Sequence, residues 1–444
     1  MSLKVLMTSL GCDKNLVDTE MMLGLLASEG YEFTDDEEEA EAVIVNTCCF
    51  IGDAKEESIN TLLSYGERRR TGKIKALVAC GCLAQRYHEE IQKEIPEVDA
   101  VVGTNAITEV VAALKSALEG RTGQFLRGID ETPVSGLRQL VTTGGHYAYL
   151  KIAEGCDKHC TYCIIPKVRG GYRSIPMETL LKSASDLAEQ GVKELILVAQ
   201  ETTLYGVDLY GKKSLPELLK NLAKISGLYW IRILYCYPEE ITDELIEVIA
   251  SEPKVCHYLD IPIQHASDAV LKRMGRKTDQ ASLRAIIGKL RENIPDICLR
   301  TTLISGFPGE TQEDFEELYN FVDELEFDRL GVFPYSQEED TAAAIMEDQV
   351  PEEVKKARRD ELMELQQEIA FEKAEEMIGQ KLVVMIEGKV AEEDTYVART
   401  YRDAPNVDGY LFLNTTANLM TGDLVPVLVT DANEYDLIGE LCDE

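Results

Sequence analysis

The segment Glu154-Gly-Cys156-Asp-Lys-His159-Cys160-Thr-Tyr-Cys163-Ile-Ile-Pro166 decides how the rest of this 444-residue chain is interpreted. It places three cysteines, spaced four and three residues apart, directly after a predicted strand. Cysteine-rich runs of this kind hold cubane iron–sulfur clusters. A structural zinc site has four ligands, and His159 is the other candidate ligand within the segment. The spacing therefore favours a four-iron cluster with one iron left free of protein ligands.

This cysteine spacing is similar to the signature of radical S-adenosylmethionine (SAM) enzymes. The resemblance implies that the free iron binds the amino and carboxylate groups of SAM. It also implies that electron transfer from the cluster splits SAM to a 5'-deoxyadenosyl radical. Cofactors carry such radical chemistry, while the protein positions and shields it. We therefore expect Cys156, Cys160 and Cys163 to hold a SAM-binding 4Fe-4S cluster.

Length and composition limit the classes of protein to which this chain can belong. The length predicts two or three domains. No run of eighteen apolar residues and no signal peptide is present, so we expect no membrane span and a cytoplasmic location. Twelve cysteines without a secretory signal agree with a reducing compartment. The net charge of −35 opposes nucleic acids and attracts basic proteins, although acidic surfaces also serve solubility.

Strand and helix patterns predict an α/β chain of three domains. Residues 1–125 alternate four apolar strands with helices, which indicates a parallel sheet. Residues 142–377 repeat the alternation six times and end in a long connector helix, which indicates a (βα)6-type partial barrel. Residues 378–444 change to short alternating strands, which is typical of a small antiparallel β-barrel of the OB-like type. Sites on βα barrels lie at the C-terminal ends of strands, where the Cys156 segment is predicted.

A second group of cysteines lies in the N-terminal domain. Cys12, Cys48 and Cys82 each fall at or just beyond the C-terminal end of a predicted strand. Doubly wound sheets form their ligand crevice at that edge, so the three thiols can converge on one metal site. They can equally be buried packing residues. Geometry alone does not separate Cys48 from Cys49, or Cys82 from Cys80.

Both cysteine groups, in this order and followed by a small β domain, resemble the methylthiotransferase family of radical SAM enzymes. The match covers nearly the whole chain. Asn46-Thr-Cys48 and Gly81-Cys82 match the family's N-terminal pattern, which selects Cys48 and Cys82 over their neighbours. The resemblance implies a second 4Fe-4S cluster at Cys12, Cys48 and Cys82. It also implies a radical SAM core and a C-terminal TRAM domain that recognises the substrate.

Within the family, the chain is most similar to the branch that methylthiolates the β-carbon of an aspartate in small-subunit ribosomal protein S twelve. The resemblance rests on residues 11–20, 198–206, 260–265 and 331–340. Glu201 departs from the aspartate expected in this branch but keeps the carboxylate. The resemblance implies that SAM is both radical source and methyl donor, and that a cellular reductant such as flavodoxin or ferredoxin takes part. The alternative is a tRNA adenosine methylthiotransferase.

The charge of the C-terminal domain favours the protein substrate. Residues 378–444 contain four Lys or Arg and thirteen Asp or Glu, a net charge of −9. A barrel that binds single-stranded RNA combines a positive groove with stacking aromatics. Tyr396, Tyr401, Tyr410 and Phe412 are present, but aromatics in a small barrel also form its core. We therefore do not expect tRNA as the substrate.

The residues that contact SAM are the least defined part of the prediction. Gln200 and Glu201 follow the second barrel strand, where the superfamily contacts the SAM amino group. Gly306 follows the fifth strand and is a candidate for backbone contact, although a plain strand-to-helix turn fits its segment equally well. An electron carrier with two clusters is a non-enzymatic alternative, but it gives the third domain no role.

Overall fold

The computed structural model describes residues 3–443, and its first unit is a parallel sheet covered by helices on both faces. The sheet has six strands, in the order β2-β1-β3-β4-β5-β6. The elements of this N-terminal domain are β1 (Lys4–Ser9), α1 (Asp13–Ser28), β2 (Glu32–Phe33), β3 (Ala42–Thr47), α2 (Gly52–Arg70), β4 (Ala76–Cys80), α3 (Gly81–Arg86), α4 (His88–Glu94), β5 (Ala100–Val102), α5 (Val110–Leu118) and β6 (Gly123–Phe125).

Complete burial of the central strands explains their apolar composition. Ala42 and Ile44 of β3 pack into the core beneath α1 and α5, while Val43 and Val45 pack beneath α2, α3 and α4. Successive side chains of a strand point to opposite faces, so a sheet covered on both sides has a continuous apolar run. The predicted parallel sheet is therefore confirmed.

The second unit is an open sheet of six parallel strands, in the order β14-β13-β12-β11-β10-β7. It confirms the predicted (βα)6-type partial barrel. Its elements are β7 (Tyr147–Lys151), β8 (Ala153–Glu154), α6 (Ile165–Arg169), β9 (Arg173–Ser174), α7 (Met177–Glu189), β10 (Glu194–Val198), α8 (Val207–Tyr210), α9 (Leu215–Leu222), β11 (Trp230–Ile233), α10 (Asp243–Ser251), β12 (Val255–Asp260), α11 (Asp268–Arg273), α12 (Gln280–Asn293), β13 (Cys298–Ser305), α13 (Gln312–Leu325), β14 (Arg329–Pro334) and the connector α14 (Glu352–Glu375).

The N-terminal domain contacts both edges of this open barrel. At one edge, α1 packs against β7. At the other, the backbone N–H of Gly52 donates to Ser336 Oγ at 3.2 Å, and Arg86 donates to the carbonyl oxygen of Glu339 at 2.7 Å. Ser336 and Glu339 lie just beyond β14. The N-terminal domain therefore lies across the opening of the barrel, at the end where the strands terminate.

The third unit is a closed five-stranded barrel, in the order β15-β16-β17-β19-β18. Its strands are β15 (Lys381–Lys389), β16 (Thr395–Thr400), β17 (Leu411–Asn414), β18 (Leu424–Asn433) and β19 (Asp436–Leu441). Strands β17 and β19 pair in parallel and the other pairs are antiparallel. This confirms the small β-barrel. No helix within residues 3–443 is long and apolar enough to cross a membrane.

Buried ion pairs attach the third unit to the barrel at the N-terminal ends of the strands. Arg399 Nη2 and Arg232 Nε both donate to Glu194, each at 2.7 Å, and all three side chains are fully buried. Arg402 pairs with Asp328, and Arg329 with Asp403, each at 2.6 Å. The predicted catalytic segment lies at the opposite ends of the strands. The β-barrel domain is therefore separated from it by the length of the parallel sheet.

Candidate active site

The three N-terminal cysteines converge because the strands that precede them are neighbours in the sheet. Cys12 immediately precedes α1, Cys48 follows β3, and Cys82 lies in the first turn of α3, after β4. The loops approach closely at Gly11, where an added Cβ would lie 2.8 Å from Cys48 Sγ. Gly11 has a φ of +86°, a conformation that glycine adopts without strain. The sheet topology thus collects three thiols at its C-terminal edge.

The neighbouring cysteines have different surroundings. Cys80 packs in the apolar core of the sheet, beneath α1 and α5. Cys49 is also fully buried and packs on the opposite face, in the same apolar cluster as Cys82. Cys12, by contrast, is exposed at the domain surface, and Cys48 and Cys82 lie beside it. This placement separates Cys80 from the group, but Cys49 lies close to Cys48 and Cys82, so the choice of Cys12, Cys48 and Cys82 as the ligand set stays a prediction.

Hydrogen bonds from three directions hold the barrel segment that carries Cys156, Cys160 and Cys163. The N–H of Cys156 donates to the carbonyl oxygen of Gly170 at 3.1 Å, and the N–H of Thr161 donates to that of Met274 at 2.9 Å. Gly155 N–H donates to Gln200 Oε1 at 2.9 Å. His159 is exposed, with a left-handed φ of 52°. The loop therefore has a fixed path after β7 and β8.

Neither cysteine group forms a site for a single ion. Within residues 3–443, no three His, Cys, Asp or Glu side chains are close enough to hold one metal ion. A cubane cluster is larger than one ion and binds one thiolate at each of several corners. Burial raises the pKa of Cys48 and of Cys163 to about 12, so iron binding would have to displace their protons.

Glu201 is a buried carboxylate with an unused acceptor, located beside the barrel cysteines. It is fully buried, and its Oε1 accepts a hydrogen bond from the N–H of Thr203 at 2.8 Å. Among the described residues its Oε2 has no hydrogen-bond partner. Burial raises the pKa of Glu201 to about 7. Its charge in turn helps burial to raise the pKa of Cys156 to about 11. A hydrogen-bond donor such as an amino group is the kind of ligand that this oxygen fits.

The other two predicted SAM contacts have structural partners. The Gln200 amide accepts from Gly155 N–H and donates to Glu154 Oε1 at 2.9 Å, so both of its ends hold the cysteine loop. Gly306 has a φ of +68°, and an added Cβ there would lie 2.3 Å from Lys355 Cγ of α14. These contacts explain both residue types without SAM. Contact of either residue with SAM stays a prediction.

Four buried charged side chains connect the two cysteine groups across the domain boundary. We call Asp18, Lys151, Glu154 and Arg169 the interdomain charge cluster; each is at most 5% exposed. Lys151 donates to Asp18 and to Glu154, the latter at 2.7 Å. Burial opposes ionisation of Glu154, but the charges of Arg169 and Lys151 outweigh it and lower its pKa to about 2. The cluster therefore consists of two buried anions and two buried cations.

The sequence analysis did not identify the interdomain charge cluster. Asp18 lies within the segment 11–20 that carries the family resemblance, and Arg169 follows Pro166 by three residues. A charged residue in such a segment is weak evidence for a buried ion pair, because most charged residues are solvated. The contact itself joins residues 151 positions apart.

Comparison with known families divides the chain into the same three parts. Residues 4–103 match the uncharacterized protein family UPF0004. Residues 150–322 match the radical SAM superfamily. Residues 378–442 match the TRAM domain. Among solved structures, the radical SAM methyltransferase TsrM from Kitasatospora setae has a TM-score of 0.54 at 15% identity, over 75% of this chain and 73% of that one. At this identity the likeness concerns the fold alone.

Curated relatives match along their full length. The ribosomal protein uS12 methylthiotransferase RimO of Lachnoclostridium phytofermentans is 60% identical over 98% of this chain and 99% of its own. The enzyme of the same name from Clostridioides difficile is 50% identical over 99% of both chains. These matches span all three domains, because they cover 98% and 99% of this chain. The chain therefore belongs to the family of ribosomal protein uS12 methylthiotransferases, within the radical SAM superfamily.

Proposed function

We propose that this protein methylthiolates the β-carbon of an aspartate in ribosomal protein uS12, the S twelve protein of the small subunit. One observation carries the proposal: two groups of three cysteines lie on either side of one domain boundary, in a chain 60% identical to an enzyme named for this reaction. All twelve cysteines are free thiols, which agrees with action in the cytoplasm alongside a reductant such as flavodoxin or ferredoxin.

The residues fit the cofactors that this activity requires. Cys156, Cys160 and Cys163 would hold the SAM-binding 4Fe-4S cluster, and Cys12, Cys48 and Cys82 the second one. When bound, these clusters and SAM supply the radical, the sulfur and the methyl group. Glu201 Oε2 would accept a hydrogen bond from the SAM amino group. The N-terminal domain, which lies across the barrel opening, would shield the reaction from water.

The surface charges support a protein substrate over tRNA. Two basic runs outside the C-terminal domain, residues 68–70 and 355–359, are largely neutralised: Arg68 and Arg69 bond to Glu38 and Asp99, respectively, at 2.8 Å, and Arg358 bonds to Glu310 at 2.8 Å. Within the TRAM domain, both arginines form the ion pairs that attach this domain to the radical SAM barrel. Nucleic-acid affinity rests on free cations that neutralise phosphates.

A two-substrate assay tests the proposed function. Purified protein, reconstituted anaerobically with iron and sulfide, is incubated with SAM, dithionite and either uS12 or unmodified tRNA. We expect methylthio-aspartate in uS12 by mass spectrometry, and no methylthio-adenosine in the tRNA. Methylthio-adenosine without methylthio-aspartate would overturn the assignment. Intact SAM with both substrates would instead indicate an electron carrier.

Replacement of Glu201 tests the SAM site separately. Glu201→Gln replaces the carboxylate that would accept a hydrogen bond from the SAM amino group, and we expect SAM affinity to fall at least about tenfold at pH 8. The pKa of Glu201 is about 7, so in the wild-type protein affinity should weaken as pH falls below 7. The variant should lack that pH dependence. Equilibrium dialysis of labelled SAM against reconstituted protein, without reductant, measures both effects.

Glu194→Gln is the matched control, because Glu194 is equally buried but lies at the opposite end of β10. It should lower stability without changing SAM affinity at pH 8. Unchanged SAM affinity in Glu201→Gln would remove Glu201 from the site.

A further inference from the structure

Arg169 makes a contact in every direction that its guanidinium offers. Its Nη1 donates to Asp18 Oδ2 at 2.8 Å and to Glu154 Oε2 at 3.1 Å. Its Nε donates to Cys82 Sγ at 3.3 Å, and its Nη2 to Asn15 Oδ1. The side chain is only 2% exposed. A residue of the radical SAM barrel thus touches a sulfur of the N-terminal cysteine group.

Asn15 extends this contact to the other two cysteine loops. Its Nδ2 donates to the carbonyl oxygen of Leu10 at 2.9 Å and to that of Thr47 at 3.0 Å. Leu10 lies two residues before Cys12, and Thr47 directly precedes Cys48. Arg169 therefore contacts one cysteine directly and, through a single amide, the loops that carry the other two.

On the barrel side, the same contacts lead to the SAM-binding segment. Glu154 accepts from Arg169 through Oε2 and from Gln200 through Oε1, at 3.1 and 2.9 Å. Gln200 directly precedes Glu201, and Glu154 lies two residues before Cys156. A continuous hydrogen-bonded path therefore connects Gln200, Glu154, Arg169 and Cys82.

Stability is a weak explanation for this arrangement. Desolvation of four buried charges is so unfavourable that well-packed apolar side chains often stabilise a protein as well or better. The location is informative, because a hydrogen bond to a ligand sulfur is a main determinant of cluster reduction potential. Reduction adds one negative charge, which a nearby guanidinium stabilises strongly at a site shielded from water.

We propose that Arg169 is a positioning residue that raises the reduction potential of the N-terminal cluster and holds its Cys82 ligand against the loop of the barrel cluster. This inference rests on the proposed ligand sets. Asp18, on the N-terminal domain, opposes the charge of Arg169 and fixes its orientation, so the two side chains act on the potential with opposite signs.

The test uses the full chain with Cys156, Cys160 and Cys163 replaced by alanine, so that the N-terminal cluster alone is observed. Its midpoint potential is measured by a spectroelectrochemical titration in which electron paramagnetic resonance detects the reduced cluster. We expect Arg169→Gln to lower the reduced-to-oxidised ratio at a fixed applied potential about tenfold, a shift of about 59 mV to more negative values. Arg169→Lys, which keeps the charge but not the fork of donors, should shift the potential less in the same direction.

Two further variants separate an electrostatic effect from a loss of structure. Asp18→Asn removes the negative charge that opposes Arg169, so it should shift the midpoint potential to more positive values. If Arg169→Gln fails to fold, the sign of this shift still tests the proposal. Arg399→Gln breaks an equally buried ion pair at the far end of the barrel and should lower stability without moving the potential.

Each result decides one claim. Unchanged potentials in both Arg169 variants, or a shift of the same sign in Asp18→Asn, would overturn the role of Arg169 while leaving the cluster assignment intact. Absence of a four-iron cluster from the triple-alanine background would overturn the ligand assignment itself, and this inference with it.

Discussion

Replacement of Cys156, Cys160 and Cys163 together by alanine is expected to remove about half of the iron and to abolish 5'-deoxyadenosine formation. Two cubane clusters give about eight irons per chain, and each triple variant should retain about four. Replacement of Cys12, Cys48 and Cys82 should remove the same amount of iron but spare SAM cleavage while abolishing sulfur transfer. The measurements are iron content after anaerobic reconstitution and chromatography of 5'-deoxyadenosine after addition of dithionite.

Cys49→Ala/Cys80→Ala is the sharpest control for this experiment, because it removes the thiols adjacent to Cys48 and near Cys82. Both control residues pack in apolar cores, so the double variant should keep all of its iron and lose only some stability. Loss of half the iron in this control would move the ligand set to the neighbours. Equal loss of SAM cleavage in the two triple variants would contradict separate roles for the two clusters.

The sequence indicated that the N-terminal cysteines lie at one edge of the sheet, because their positions follow from its topology; their role as ligands stays a prediction. Cys12, Cys48 and Cys82 each follow a long apolar strand, and parallel strands that are neighbours in a sheet bring such positions together. The three-domain α/β order was likewise readable from the change in hydrophobic period along the chain. The bounds 1–125, 142–377 and 378–444 stay predictions.

Short and polar elements were not predicted. Strands β2 and β6 have two and three residues, too few for a periodic pattern. Strand β19 contains Gly439 and acidic residues, which weaken any strand pattern, and it forms because β17 and β18 both pair with it. Residues 81–94 form two short helices, α3 and α4, because the chain leaves helical geometry at Tyr87, and no local pattern marks this break.

The contacts between domains were beyond any local pattern. Lys151 and Asp18 are 133 residues apart in sequence, and Arg399 and Glu194 are 205 apart. The sequence around each of these four residues does not indicate which oppositely charged residue it will contact. The position of the TRAM domain under the N-terminal ends of the strands was equally hidden. Charge counts predicted its acidity, but not that its arginines are turned inward against the barrel.

The position of the TRAM domain at the N-terminal ends of the barrel strands limits how its role in substrate recognition can be tested. Deletion of the TRAM domain would remove Arg399 from Glu194 and the Tyr401 carbonyl oxygen from Arg232, and would expose this buried pair to water, so loss of activity would not distinguish recognition from stability. The domain also lies at least one strand length, roughly 17 Å for the five residues of β10, from the cysteine loop. A TRAM domain that recognises the substrate, as the family resemblance implies, would therefore contact a part of it remote from the modified aspartate.

Reversal of exposed charges avoids both problems. Glu392, Glu393 and Glu434 are exposed in loops of the TRAM domain and have no ion-pair partner among residues 3–443. We expect Glu392→Lys/Glu393→Lys/Glu434→Lys to slow methylthiolation of uS12 about tenfold or more at low salt, because the acidic face would no longer attract a basic protein. Initial rates at low and high ionic strength measure the effect, and added salt should reduce the difference.

Glu361→Lys/Glu364→Lys/Glu368→Lys provides the matched control, since it changes the net charge equally on the exposed face of α14. If attraction resides in the TRAM surface, this control should modify uS12 at nearly the wild-type rate. Equal slowing by both triple variants would assign the effect to overall charge. A faster reaction of the wild-type protein with tRNA than with uS12 would favour the tRNA-modifying alternative, whereas reaction with tRNA only in the TRAM variant would show that the acidic face is the barrier to a polyanion.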